Sequence, residues 1–164
     1  MSRLAVVWIG LLLGAPAAFG DARKDCYEKS GAIAIRACTE AIQNNPTDAV
    51  SYVNRAFEYL QRGDYERTIA DYSKAIELDP KRPDAHQGRA WAYFKIGKAA
   101  QGLTDVERSL KLKPDDAQAL DTRGHIHEAL GRREEAIADF RRALAIEPRL
   151  QGSKQGLQRL GVRQ

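Results

Sequence analysis

Small, apolar and aromatic residues recur in fixed columns along this chain. Pro46, Pro80, Pro114 and Pro148 stand 34 residues apart, and units begun three residues after each proline run in register. The eighth position is small (Ala56, Ala90, Gly124), as are the twentieth (Thr68, Gly102, Ala136) and the twenty-seventh (Ala75, Ser109, Ala143). Position 21 carries Ile69, Leu103 and Ile137, and position 24 carries Tyr72, Val106 and Phe140, followed by Ile76, Leu110 and Leu144. Apolar groups three or four apart mark one face of a helix. Small residues between them allow two helices to approach closely. The first helix of each unit should end near Gly63, Gly97 or Gly131, where glycine accepts left-handed dihedrals. The second should stop before Asp79-Pro80, Lys113-Pro114 and Glu147-Pro148, because proline cannot continue the hydrogen-bond ladder. The pattern predicts an all-α solenoid of helical hairpins, with full units at 49–82, 83–116 and 117–150. Glycine inside a helix costs about 1 kcal/mol relative to alanine, so Gly102 marks the second helix of the middle unit as the softest.

The first twenty residues stand outside this period. Arg3 precedes an uncharged apolar run, Leu4 to Leu13, and small residues Ala18 and Gly20 precede Asp21. This is the layout of a secretory signal peptide over 1–20, and its core is shorter than the ~20 residues that span a bilayer. An uncleaved anchor or a buried first helix is the alternative. Cleavage would leave about 144 residues, enough for one domain, without stable membrane insertion. Loss of Arg3 would lower the formal charge from +4 to +3, too little to imply nucleic acid. The excess is local: Arg149, Lys154, Arg159 and Arg163 follow Pro148 with no acidic residue among them. Such a run is the solvated face of a terminal helix or a contact for a polyanion.

Two cysteines, Cys26 and Cys38, lie twelve apart near the start of the mature chain. In an exported protein they read as a disulfide, which requires the chain to reverse near Ser30-Gly31. Two small unpaired core residues are the other reading. His86, His125 and His127 do not supply a tetrahedral metal set: the last two point to different helix faces and the first lies a unit away. No nucleophile, base and orienting acid converge in any arguable arrangement. Neither an enzyme nor a cofactor is expected. Arg55, Arg89 and Arg123 share position 7, suggesting either a phosphate stripe or guanidinium heads set in water or against neighbouring carboxylates.

Asn54-Arg55-Ala56, Tyr59, Gly63-Asp64-Tyr65 and the stretch from Ala70 to Pro80 resemble the tetratricopeptide repeat family, as does Gly131 to Pro148. The likeness covers residues 31 to 160 and is specific to the fold rather than to a partner. It implies a right-handed superhelix of the kind found in small secreted bacterial members. Residues 21–48 then form a partial unit: a truncated first helix, Asp21 to Lys29, and a second helix placing Ala34, Cys38 and Ala41 at positions 20, 24 and 27. Residues 151–164 form a capping helix and tail, with Leu150, Leu157 and Leu160 as its apolar stripe and Gly152 and Gly156 weakening it.

In this family the first helix of each unit lines the concave surface. Carried over, the surface comprises Val53, Asn54, Phe57 and Leu60 from the first unit and Asp84, Gln87, Trp91 and Phe94 from the second. Asp121, His125 and Glu128 come from the third. Phe57 and Trp91 are either partner anchors or packing between units. Carboxylate clamping of a peptide C-terminus is not expected, since Asn54 alone matches that subgroup and Asp84, Asp121 and Glu128 oppose it. The resemblance and the leader together imply a periplasmic or secreted bacterial scaffold that binds a protein or peptide, with no small-molecule ligand and no nucleic acid. An accessory subunit of an envelope complex, held by convex faces or the basic terminal helix, is the alternative.

Overall fold

The computed structural model describes residues 17–162, so the apolar run Leu4 to Leu13, on which the signal-peptide expectation rests, and Arg163 lie outside the described residues. Those residues fold into α1 (Ala17–Glu28), α2 (Gly31–Asn44), α3 (Ala49–Gln61), α4 (Tyr65–Leu78), α5 (Pro83–Lys95), α6 (Ala99–Leu112), α7 (Ala117–Ala129), α8 (Arg133–Ile146) and α9 (Gln151–Arg159). No strand occurs among them, and none of these helices is long and apolar enough to cross a membrane. Helix α1 extends beyond the expected Asp21 to start at Ala17.

Each repeat glycine closes its first helix with a left-handed backbone, φ being +72° at Gly63, +77° at Gly97 and +73° at Gly131. A residue with a Cβ pays steric energy there, and glycine does not. The second helices end at Leu78, Leu112 and Ile146, just ahead of the residue–proline pairs. Consecutive helices pack as antiparallel hairpins, α1 with α2 through α7 with α8, and each hairpin meets the next. Beyond sequential neighbours, only odd-numbered helices touch one another: α1 with α3, α3 with α5, α5 with α7 and α7 with α9. The odd helices therefore adjoin one another along the array and form one continuous face.

The columns of small residues are the seams of this packing. Ala56, Ala90 and Gly124 are buried, as are Thr68, Gly102 and Ala136, and so are Ala75, Ser109 and Ala143. Position 24 fills the space between hairpins with Cys38, Tyr72, Val106 and Phe140, all at most 3% exposed. The core is a string of local clusters rather than one mass, as in a solenoid whose units bury apolar surface only against neighbours. One groups Val53, Ala56, Tyr72, Ala75 and Ala85, and the next groups Ala90, Val106, Leu110, Leu120 and Ile126.

The arginines of position 7 are structural clips. Arg55 reaches Asp71, Arg89 reaches Asp105 and Arg123 reaches Asp139, each through Nε and Nη2 to both carboxylate oxygens at 2.6–2.8 Å. Nη1 of Arg55 and of Arg89 also donates to a hydroxyl of the preceding unit, Thr39 and Ser73, at 3.0 Å. These two guanidiniums thus tie both helices of one hairpin to the second helix of the hairpin before. Their use as a phosphate stripe is set aside, because Nε and Nη2 of all three are spent on aspartates within the fold.

The ends are finished differently. Cys26 and Cys38 Sγ atoms lie 2.05 Å apart, at disulfide distance, across the reversal between α1 and α2. At the other end Leu157 packs on Phe140 and Ala136. The capping-helix glycines are not simply weak points. A Cβ on Gly152 would lie 2.6 Å from an Asp121 carboxylate oxygen, and one on Gly156 would collide with the Phe140 ring. They let α9 lie flush against α7 and α8.

Candidate functional site

Two cavities open on the face of the odd helices, and Trp91 lines both. The first holds about 410 Å³ and lies between α3, α5 and α7. Phe57, Leu60 and Tyr72 wall one side, while Gln87, Gln118, Asp121 and Thr122 supply its polar groups. The second, about 380 Å³, is bounded by Trp91, Phe94, His125 and Ala129, with Lys95, Glu128 and Arg159 around them. Volumes of this size are in the range of ligand-accepting clefts.

Their geometry follows from the period. Phe57, Trp91, His125 and Arg159 are successive members of one 34-residue column, each on an odd helix. Phe57 is 50% exposed, whereas Trp91 is half-buried and packs among rings. Its centroid lies 5.1 Å from Phe94 and 5.6 Å from His125, and His125 in turn lies 5.0 Å from Phe140. Trp91 thus both packs between units and shows a face to each cavity. Lys95 Nζ lies 5.6 Å from the Trp91 ring, a cation–π distance.

The other expected surface residues divide. Val53 is buried in the cluster around Tyr72, so it acts as core and lines neither cavity. Asn54 is half-buried, its Nδ2 4.0 Å from Cys26 Sγ. Asp84 is exposed at the start of α5, where Arg82 Nη2 holds its Oδ2 at 2.6 Å. Gln87 Nε2 donates to Thr122 Oγ1 at 2.9 Å, joining α5 to α7 across the first cavity. Leu60, Trp91, Phe94, Asp121, His125 and Glu128 all line one cavity or the other.

Arg159 joins this set unexpectedly. Its Nε and Nη2 donate to the two Glu128 oxygens at 3.0 and 2.7 Å, and Nη2 lies 3.1 Å from His125 Nδ1. The pairing holds the Glu128 carboxyl below the usual carboxylate range. Burial lowers the His125 pKa, outweighing Asp121 and Glu128, whose charges act to raise it. Burial likewise raises the Asp121 pKa. The signal was in the sequence, since Arg159 follows His125 by one period, but a basic tail reads as solvated. The remaining histidines serve the scaffold: His86 and His127 are buried with Nδ1 3.6 Å from Asp105 and 3.3 Å from Asp139. Among the described residues no three His, Cys, Asp or Glu side chains are grouped to hold a metal.

Tetratricopeptide repeat models match residues 37–70 and 117–150, and a TPR repeat model matches 58–100. The chain belongs to the tetratricopeptide repeat family. No curated protein matches it. Among solved structures it is similar to the first TPR domain of the human RPAP3 protein, with 29% identity over 71% of this chain and 92% of that one and a TM-score of 0.67. The first TPR of Spaghetti (RPAP3), bound to the HSP90 peptide SRMEEVD, is also 29% identical, covering 69% of this chain and 90% of that one at a TM-score of 0.65. MamA from Desulfovibrio magneticus RS-1, at 19% identity, a TM-score of 0.75 and coverage of 88% and 82%, shares the fold. As a tetratricopeptide array the chain presents helices in the order that brings Phe57, Trp91, His125 and Arg159 onto one face.

Proposed function

We propose that this protein is an exported, non-catalytic scaffold whose concave face receives an extended segment of another protein. The observation that carries the reading is the pair of adjoining, largely apolar cavities that share Trp91. Two such recesses on one face suit alternate side chains of an extended peptide, which all point the same way. Aromatic anchors in such positions dominate binding energy. Peptide binding by a structural relative of 29% identity adds support. The leader pattern and a cysteine pair at disulfide distance favour a periplasmic or secreted bacterial location.

The test is selection from a library of amidated, extended peptides on the immobilised protein. Replacing a central aromatic typically costs 2 kcal/mol or more, so Trp91→Ala should weaken the selected peptides roughly thirtyfold while far-UV circular dichroism stays unchanged. Undiminished binding by a folded Trp91→Ala protein would place the contact elsewhere.

A further inference from the structure

Buried aspartates in this chain come with a cation. Arg23 meets Asp48 at 3.2 Å, Arg55 meets Asp71 at 2.7 Å, Arg89 meets Asp105 at 2.7 Å and Arg123 meets Asp139 at 2.6 Å. Asp121 is the exception among the described residues. It is only 8% exposed, and its Oδ1 accepts a hydrogen bond from Ser153 Oγ at 2.6 Å. Among the described residues the ionisable group within ion-pair distance is His125, whose Nε2 lies 3.6 Å from Oδ2 and whose pKa burial lowers. Arg159 acts on Asp121 only from farther off, because its guanidinium is committed to Glu128. A carboxylate removed from water without a cation is costly, and Asp121 is kept at the wall of an open cavity.

That cavity has the rest of what a cationic side chain needs. Phe57, Tyr72 and Trp91 offer ring surface for an aliphatic stem and a cation–π attraction for its head. No lysine or arginine lines it, whereas the neighbouring cavity carries Lys95 and Arg159. The two recesses on either side of Trp91 therefore differ in charge. We propose that the cavity between α3, α5 and α7 is a recognition pocket for a lysine or arginine side chain of the bound segment, with Asp121 supplying the counter-charge. The neighbouring recess, where Glu128 is already paired with Arg159 and Lys95 adds a positive charge, disfavours the same side chain and so fixes the direction in which the segment lies. This inference rests on the concave-face reading above and can be tested apart from it.

The probe is Nα-acetyl-lysine N-methylamide, titrated against the full chain and followed at the Trp91 indole and the Gln87 and Gln118 side-chain amides by NMR. The norleucine counterpart, which lacks the charge, is the control. A charge-assisted hydrogen bond is worth roughly tenfold or more in affinity, so the lysine compound should bind at least tenfold more tightly. Asp121→Asn should bring it down to the norleucine level. Since Asp121 also holds Ser153, a second variant guards against a folding defect: Gln118→Lys, at an exposed position on the rim, should abolish the lysine response with an unchanged melting temperature. Equal responses to the two compounds, or a lysine response that survives both variants, would overturn the pocket. In the peptide selection, lysine or arginine enriched at one position and lost with Asp121→Asn supports it. Selected peptides with no such position overturn the cation pocket and leave the concave-face reading standing. A lysine response with no peptide selected at all keeps the pocket and sinks that reading.

Discussion

Gly102 shows how a single residue can reverse its apparent meaning. A helical glycine is normally a soft point, and alanine there should gain about 1 kcal/mol of helix propensity. Yet a Cβ on Gly102 would lie 2.8 Å from the Ala90 carbonyl oxygen and 3.1 Å from Ile126 Cδ1. The carbonyl belongs to a helix backbone and cannot step aside. Overpacking of this kind costs about 1–3 kcal/mol, which exceeds the propensity gain. Gly102→Ala should therefore lower stability by about 1 kcal/mol, read as an earlier urea midpoint at constant slope. A later midpoint would restore the view of this glycine as a defect. The column of small residues was legible in the sequence, but how small each must be was not. That depends on the separation of α5 and α6, which no single position encodes.

At the scale of an element, α9 is the part that responds to pH. It is held by Leu157 on Phe140, Ser153 on Asp121 and Arg159 on Glu128 and His125. His125 faces Asp121 and Glu128 from its own helix, Lys95, Trp91 and Phe94 from α5, Phe140 from α8 and Arg159 from α9. Its Nδ1 accepts a hydrogen bond from Arg159 Nη2 only while the ring is neutral with its proton on Nε2. Because burial depresses the His125 pKa, the unfolded chain takes up the imidazole proton first. The contribution is complete above about pH 6.5 and declines as pH falls from there toward the depressed value. The raised Asp121 pKa works in the opposite sense, stabilising the fold as pH drops through it, but from the carboxylate side. Glu128, lowered by Arg159, contributes stability that is full above the ordinary glutamate value and is lost as pH falls from there toward its depressed value. Amide-exchange protection in α9 should thus hold above about pH 6.5 and fall as pH drops below it, and His125→Asn should flatten that dependence. The helix itself was foreseen from its leucines. Its inward-facing arginine was missed because charge composition alone cannot show which way a tail folds back, and the same docking decides that Asp121 meets Ser153 rather than a cation.

The whole molecule has no centre, only neighbours. Stability in such an array is approximately a sum of unit and interface contributions, so damage at one end should stay there. The Cys26–Cys38 link closes a loop of about the length for which roughly 3 kcal/mol of stabilisation is expected. After reduction and alkylation, exchange protection in α1 and α2 should fall by an amount of that order, with α5 to α8 unchanged. A uniform loss along the chain would show one cooperative unit instead. Labelling of thiols before reduction would show that the pair is open. The clips of Arg55 and Arg89 bear on a different matter, the history such a chain permits. Each reaches back to a hydroxyl of the preceding unit and forward sixteen residues to an aspartate. Excising 83–116 would bring Ser73 to the place before Arg123 that Glu107 now occupies, and Ser73 already serves Arg89 in that capacity. A duplicated or deleted stretch of 34 residues thus finds its junction chemistry ready-made. A change of any other length would leave the first arginine after the junction out of register with the residue sixteen places before it, so this chain is lengthened or shortened most readily in whole steps.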